Sequence, residues 1–467
     1  MPSTSSLLAL LLTFALAAAA CTTDDGPVAE GVPASTAPDT TEADDDDGTA
    51  PDGDEAAGAA PGSGAAPPAA EAEPPTLTPA ERALVADLPG LLAVGAGSGL
   101  RITDPAGATE LVITDVPAIS AGQATWSPDG RRLAWSRSTV GGHEIVVTPA
   151  DGSPDSVSAA AGPAAIFLQW SAGGERIAYL RNDPGGRGIQ IGTAVPGEPA
   201  VPLLAAGPLY LGWSPSAPEL ALHVSGQQVL RANEAIVAAA EGEDRPGPDI
   251  VLETSGGFTA PAWLDERTVV VAVDDGLGLL DVNSGRVERL LEGGAEIQFV
   301  VSPDRRRLAY HIVGSTPGVS PIQAQGDGAE PLPGLAVLDL DRRVSIPVAE
   351  VTPQAFEWSP DGTQLAFLTG AGDQGPGLSR WSFWDGTDIT SAPPYTIATR
   401  DLASTLPFFE QYAPSHRRWS PDGRAFVMVG AAAAEPSDAT SGVLVHLVGT
   451  DEALVRVANG DYAFWSS

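Results

Sequence analysis

Apolar and polar positions divide the chain into three stretches. Residues 7–20 form an unbroken apolar run, LLALLLTFALAAAA. Fourteen residues are too few to span a bilayer but fit the apolar core of a secretory signal. Residues 22 to about 78 hold no aromatic side chain, and the first 80 residues carry fourteen acids and no Arg. So little apolar surface cannot offset the entropy of ordering a chain. Residues 21–80 are therefore expected to be a disordered tether, extended by the mutual repulsion of Asp44 to Asp47. From residue 81 the pattern changes to short apolar or alternating runs punctuated by Gly, Pro and Asp, such as Glu144-Ile145-Val146-Val147 and Gly334-Leu335-Ala336-Val337-Leu338. Such runs predict short antiparallel strands with little room for helices.

These strands belong to a repeat. Trp126-Ser127-Pro128-Asp129-Gly130-Arg131-Arg132-Leu133-Ala134-Trp135 returns as Trp358-Ser359-Pro360-Asp361-Gly362-Thr363-Gln364-Leu365-Ala366-Phe367. Trp419-Ser420-Pro421-Asp422-Gly423 repeats the opening, and Ser302-Pro303-Asp304 repeats it with Val301 in the Trp place. Weaker copies begin at Trp170, Trp213 and Trp263. The starts 126, 170, 213, 263, 301, 358 and 419 lie 44, 43, 50, 38, 57 and 61 residues apart. Periods near 45 residues accommodate four short strands, the size of a propeller blade. Each motif residue has a structural task. The Trp packs between sheets, Pro and Asp shape a turn, and Gly tolerates positive φ. Asp129, Asp304, Asp361 and Asp422 are accordingly turn residues, as are Gly130, Gly362 and Gly423: a catalytic acid is needed once, a turn in every unit.

The W-S-P-D-G-x-x-L-A-aromatic motif resembles the TolB-type propeller repeat, a relative of WD-type repeats. The resemblance covers roughly residues 85–467 and implies an all-β fold, a single ring with four antiparallel strands per blade. The seven starts, together with a composite blade, give eight blades; merging the unit at Trp213 or Trp263 with its neighbour gives seven. The composite blade would join three strand-like runs before Trp126 to the C-terminal Tyr462-Ala463-Phe464-Trp465, so that the last strand closes the first blade. At the other end, Ala18-Ala19-Ala20-Cys21 resembles a bacterial lipobox. That resemblance implies that residues 1–20 are a lipoprotein signal peptide and that Cys21 carries lipid.

Composition narrows the chemistry. All 24 basic residues are Arg, against 60 acids, for a net charge of −36. Without Lys there is no Schiff base and no P-loop, and so acidic a chain is not expected to bind nucleic acid. Its one Cys excludes an internal disulfide and a Cys-rich metal site. The five histidines, His143, His223, His311, His416 and His446, show no metal-binding spacing, and no Ser has a nucleophile elbow. No metal and no cofactor are therefore expected. The long unit starting at 358 contains Trp384, Phe408, Phe409 and Tyr412, aromatic residues that are candidates for a partner contact. The leading expectation is a non-catalytic, monomeric, lipid-anchored envelope scaffold that binds a protein, wall component or ligand. The alternatives are a hydrolase or lyase acting on a sugar or lactone at the central channel, and a small-ligand sensor for a signalling partner.

Overall fold

A computed structural model describes residues 75–467, apart from 97–98, 115–123, 140–141, 187, 208, 217–218, 225–226, 232–248, 254–258, 275, 294–295, 314–331, 434 and 436–440. The signal segment, Cys21 and nearly all of the acidic tether lie outside the described residues, as does most of the long loop at 314–333.

The body is an all-β propeller of antiparallel sheets. Five consecutive four-stranded sheets occupy 125–161, 167–206, 209–253, 262–292 and 297–349. A larger sheet follows in two parts. Strands Ala355–Trp358, Leu365–Gly370, Ser379–Trp384 and Ile389–Ser391 make one part. Strand Tyr395–Ile397 leads to the other, Ala425–Ala432, Gly442–Leu447 and Val455–Asn459, with Trp419 bridged to Phe426. The remaining sheet joins Leu92–Ala96, Gly99–Thr103 and Glu110–Thr114 to the C-terminal strand Tyr462–Trp465. In that sheet Leu92 faces Trp465 and Gly95 faces Tyr462.

Four of the repeats build the same corner. Ser127 Oγ donates to Asp129 and accepts from Arg132 N–H, while Gly130 N–H bonds to the Ser127 carbonyl. The same arrangement occurs around Ser359 and Ser420. The turn glycines Gly130, Gly362 and Gly423 sit at φ of 68°, 69° and 70°. In the fourth copy Arg305 takes the glycine place at φ 58°, a left-handed conformation that costs a non-glycine residue about 1–2 kcal/mol. The hydroxyls of these corners are buried, so satisfying them inside the turn is what lets the corner pack against its neighbour.

Neighbouring sheets are fastened by the motif tryptophans. The indole N–H of Trp170 donates to the Thr125 carbonyl, Trp213 to Gln169, Trp263 to Gly212, Trp358 to Val300, Trp419 to Glu357 and Trp126 to Phe464, at 3.0–3.4 Å. Every acceptor is the residue just before the motif Trp position of the preceding sheet. A second tie lies above it: Arg132 reaches the Gly174 carbonyl and covers the face of Trp170 at 4.8 Å, and Arg307 does the same at Gly362 and Trp358.

Among the described residues, three helical segments depart from the expectation of little helix. Helix α1, Pro79–Val85, begins on a capping box in which Thr78 and Glu81 each bond the other's backbone N–H. Its Val85 is buried in a cluster with Val427, Val445 and Trp465. The other two, α2 (Thr399–Ser404) and α3 (Phe409–Tyr412), are joined by a 3-10 turn at Leu406–Phe408.

Trp213→Phe is expected to cost about 1–2 kcal/mol in urea unfolding, and Trp213→Ala about 3–5 kcal/mol. Gly212→Ala should also destabilise, because its Cβ would lie 2.3 Å from the Pro261 carbonyl oxygen. Gly370→Ala, with nothing within 4 Å, should change stability by less than about 0.5 kcal/mol.

Candidate functional site

Residues 398–418 leave the strand at Tyr395–Ile397 and return at Trp419, and between these points they touch the first strands of five sheets and the C-terminal strand of a sixth. Gln411 bonds both the N–H and the carbonyl of Leu211. Glu410 Oε1 accepts from Phe299 N–H at 2.7 Å. The Ser415 carbonyl accepts from Thr125 Oγ1. Phe409 packs on Phe356 with ring centroids 4.6 Å apart, Tyr412 on Phe167 at 5.0 Å, and His416 on Phe464 at 4.9 Å. One short segment thus meets strands from all around the molecule, as a plug at the centre of the sheets would.

The plug is pinned by charge. Arg418 Nη2 bonds Asp401 Oδ1 at 2.6 Å, with the two side chains 4% and 1% exposed. The guanidinium also lies over Trp381 and Phe464, and Arg418 N–H donates to Glu357 Oε1. Burial disfavours the charged guanidinium, but Asp401 and Glu357 outweigh it and raise the Arg418 pKa. Removing one member of such a pair leaves a buried charge uncompensated.

Beside the plug lies a cavity of about 330 Å³. Trp213, Trp263, Trp358 and Trp419 contribute to its walls, and Glu357, Glu410, Gln169 and Arg417 supply the polar groups. The first strand that the plug contacts leave out, Ala262–Trp263, borders this cavity. Burial pushes the Glu410 carboxyl up to about 8 despite the bond from Phe299, and nearby Glu296 adds to the rise. Burial likewise pushes Glu357 up to about 7, against the pull of Arg418 and Arg417. The Arg417 pKa is lowered by burial and supported by Glu357. Gln169 is buried, and its Oε1 has no hydrogen-bond partner among the described residues. The cavity therefore offers carboxyls that can hold protons near neutral pH, a spare acceptor and a cation within an aromatic wall.

The candidate contact aromatics fall in different places. Phe409 and Tyr412 are buried in the plug, and Trp384 is buried on strand Ser379–Trp384. Phe408 alone of the four is exposed, at 42%, edge-on to Tyr210. A contact face made of all four is not available: the plug spends Phe409 and Tyr412 on Phe356 and Phe167. Cys21 is outside the described residues. The histidines stay apart. His143, His223 and His311 each direct Nδ1 at a backbone carbonyl, of Gly162, Thr259 and Gly334, and burial lowers the pKa of each. His446 stacks on Phe383 and is pushed down to about 4 by burial. No group of three His, Cys, Asp or Glu able to hold a metal occurs among the described residues. Sequence reasoning missed Glu357, Glu410, Gln411, Arg417 and Arg418. One of them had a signal: Glu357, like Gln169, is a polar residue directly before a motif Trp, the position whose carbonyl takes the next indole.

No protein-family model matches the chain, and no curated protein matches it. Solved structures do. Dihydro-heme d1 dehydrogenase NirN matches with a TM-score of 0.51 at 13% identity, over 80% of this chain and 75% of that one. A eukaryotic initiation factor matches at 0.48 and 11%, over 80% and 98%, and TolB from Acinetobacter baumannii at 0.33 and 12%, over 64% and 62%. At these identities the likeness concerns the fold alone.

The two raised carboxyls carry a stability signature. Each binds a proton more tightly folded than unfolded, so its stabilisation is complete below about pH 4.5. It is lost as pH rises, through about 7 for Glu357 and about 8 for Glu410. The loss can reach ~1.4 kcal/mol per pH unit per group. Glu410→Gln keeps an acceptor for Phe299 N–H and should flatten the fall in denaturant midpoint between pH 5 and 8, as followed by circular dichroism.

Proposed function

We propose that the chain is a non-catalytic binding scaffold of the bacterial envelope, an eight-bladed ring whose central cavity is the receptor. On this reading the seven motif starts, plus the sheet that joins residues 92–114 to Tyr462–Trp465, count as eight blades, and the Leu92–Trp465 pairing would close the ring. The signal-like run and Cys21 would place the ring on a membrane by a lipid, and the acidic tether would give it reach. A net charge of −22 beyond residue 80 favours a basic or neutral partner over an anionic polymer.

The observation that carries this reading is the cavity of about 330 Å³ beside the plug. Its size is in the range of small-molecule sites, and its walls combine large aromatic surfaces with a few convergent polar groups. Residues 398–418 hold its floor in place through bonds to strands on many sides, which is the preorganisation a receptor needs.

One observation favours the rival, a hydrolase or lyase. Glu357 and Glu410 line the same cavity with carboxyl pKa values pushed to about 7 and about 8, a range suited to proton transfer. Both already serve the fold, however, by accepting backbone N–H groups of Arg418 and Phe299.

Two measurements test the proposal. Fractionation should find the wild type in membranes and Cys21→Ser in the soluble fraction; equal distribution would remove the anchor. A glycan and lactone panel should show no turnover by the wild type. Turnover that Glu410→Gln abolishes while the fold is retained would replace the scaffold with the enzyme.

A further inference from the structure

The indole ties follow one register. Six motif tryptophans each donate to the residue just before the motif Trp position of the unit before them, whereas the buried indole N–H of Trp465 has no partner among the described residues. By that register, a Trp at position 301 would donate to the Ala262 carbonyl. Position 301 holds Val, whose side chain has no N–H and far less volume. Val301 and Ala262 both line the cavity, together with Trp263 and Trp213. Val301 is only half-buried, whereas Trp170, Trp213, Trp263, Trp358 and Trp419 are buried. The cavity thus lies where the repeat leaves out its own aromatic ring.

We propose that this cavity receives a planar aromatic ring bearing an N–H donor, an indole-like group supplied by a ligand in place of the missing side chain. The inference rests on the cavity being a binding site and names its ligand class. Size agrees: an apolar hole of about 150 Å³ admits benzene, and this one is about twice as large, enough for a bicyclic ring with a substituent. The wall chemistry agrees too, because aromatic neighbours favour offset or edge-on ring contacts. A donor on the ring has two acceptors to meet. One is the Ala262 carbonyl, which no indole at 301 can reach. The other is Gln169 Oε1, which is buried and has no partner among the described residues. The group could arrive as a free small aromatic or as the tryptophan side chain of a peptide.

Titration calorimetry on the whole protein tests this with indole, 1-methylindole and N-acetyltryptophanamide as probes. Indole should bind one-to-one, and 1-methylindole about fivefold more weakly or worse, because its donor is gone. Binding of the amide as well as indole would identify a peptide side chain as an admissible source, and binding of indole alone a free ligand. Val301→Trp should fill the site, abolish indole binding and raise the thermal midpoint. Val301→Ala should keep binding. If Val301→Trp does not fold, the comparison of indole with 1-methylindole on the wild type still decides. No indole binding, or equal binding of the two probes, overturns the inference. So does a folded Val301→Trp protein that binds indole as the wild type does. Failure with the indoles alone would remove the ligand class and leave the scaffold standing. Turnover in the glycan and lactone panel would remove the scaffold without touching the indole result.

Discussion

An indole N–H bonded to a backbone carbonyl of the preceding sheet is the interaction on which this molecule depends. Stacked sheets have no covalent reason to keep one particular rotation or offset, and apolar packing between them is largely non-directional. The bonds from six tryptophans to the residue before the preceding motif Trp position supply that direction. Each also spends a buried donor on a buried acceptor, so the large ring is packed without an orphaned polar atom. The S-P-D corner makes this possible by ending the first strand immediately after the Trp and holding its hydroxyl inside the turn.

The plug answers a different constraint. First strands that converge would leave their inner side chains and edges facing an open centre. Residues 398–418 fill part of that space with Phe409, Tyr412 and His416 and meet exposed backbone groups with Glu410 and Gln411. Carrying carboxyls and guanidinium groups into such a place is costly, and the molecule offsets the cost by pairing Arg418 with Asp401 and by letting Glu410 hold its proton. The cavity remains on the side the plug does not fill, next to Val301.

Much of the fold was legible in the sequence because a repeat states the same rule several times. Trp126, Trp358 and Trp419 with their corners announce themselves, and the weaker openings at Trp170, Trp213 and Trp263 are recovered by spacing. The plug was not legible. Its helices are six and four residues long, too short to show a period, and its polar residues are matched by partners such as Leu211 and Phe299 far away in sequence. Aromatic residues in a long insertion read as a surface for a partner, but Phe409 and Tyr412 found their partners within the chain. Helix α1 was hidden for another reason. Its one buried anchor, Val85, follows a polar, Pro-rich stretch that reads as tether.

The pairing of Leu92 with Trp465 also sets a clock. These residues are separated by nearly the whole folded body, and contacts of such high sequence separation are slow to form. A ribosome releases residue 465 only after every other sheet has been made. Until then the edge of strand Leu92–Ala96 has no neighbour beyond Gly99–Thr103, and an open edge can recruit a strand from another molecule. That edge is covered only once residues 462–465 have been made and have paired with it.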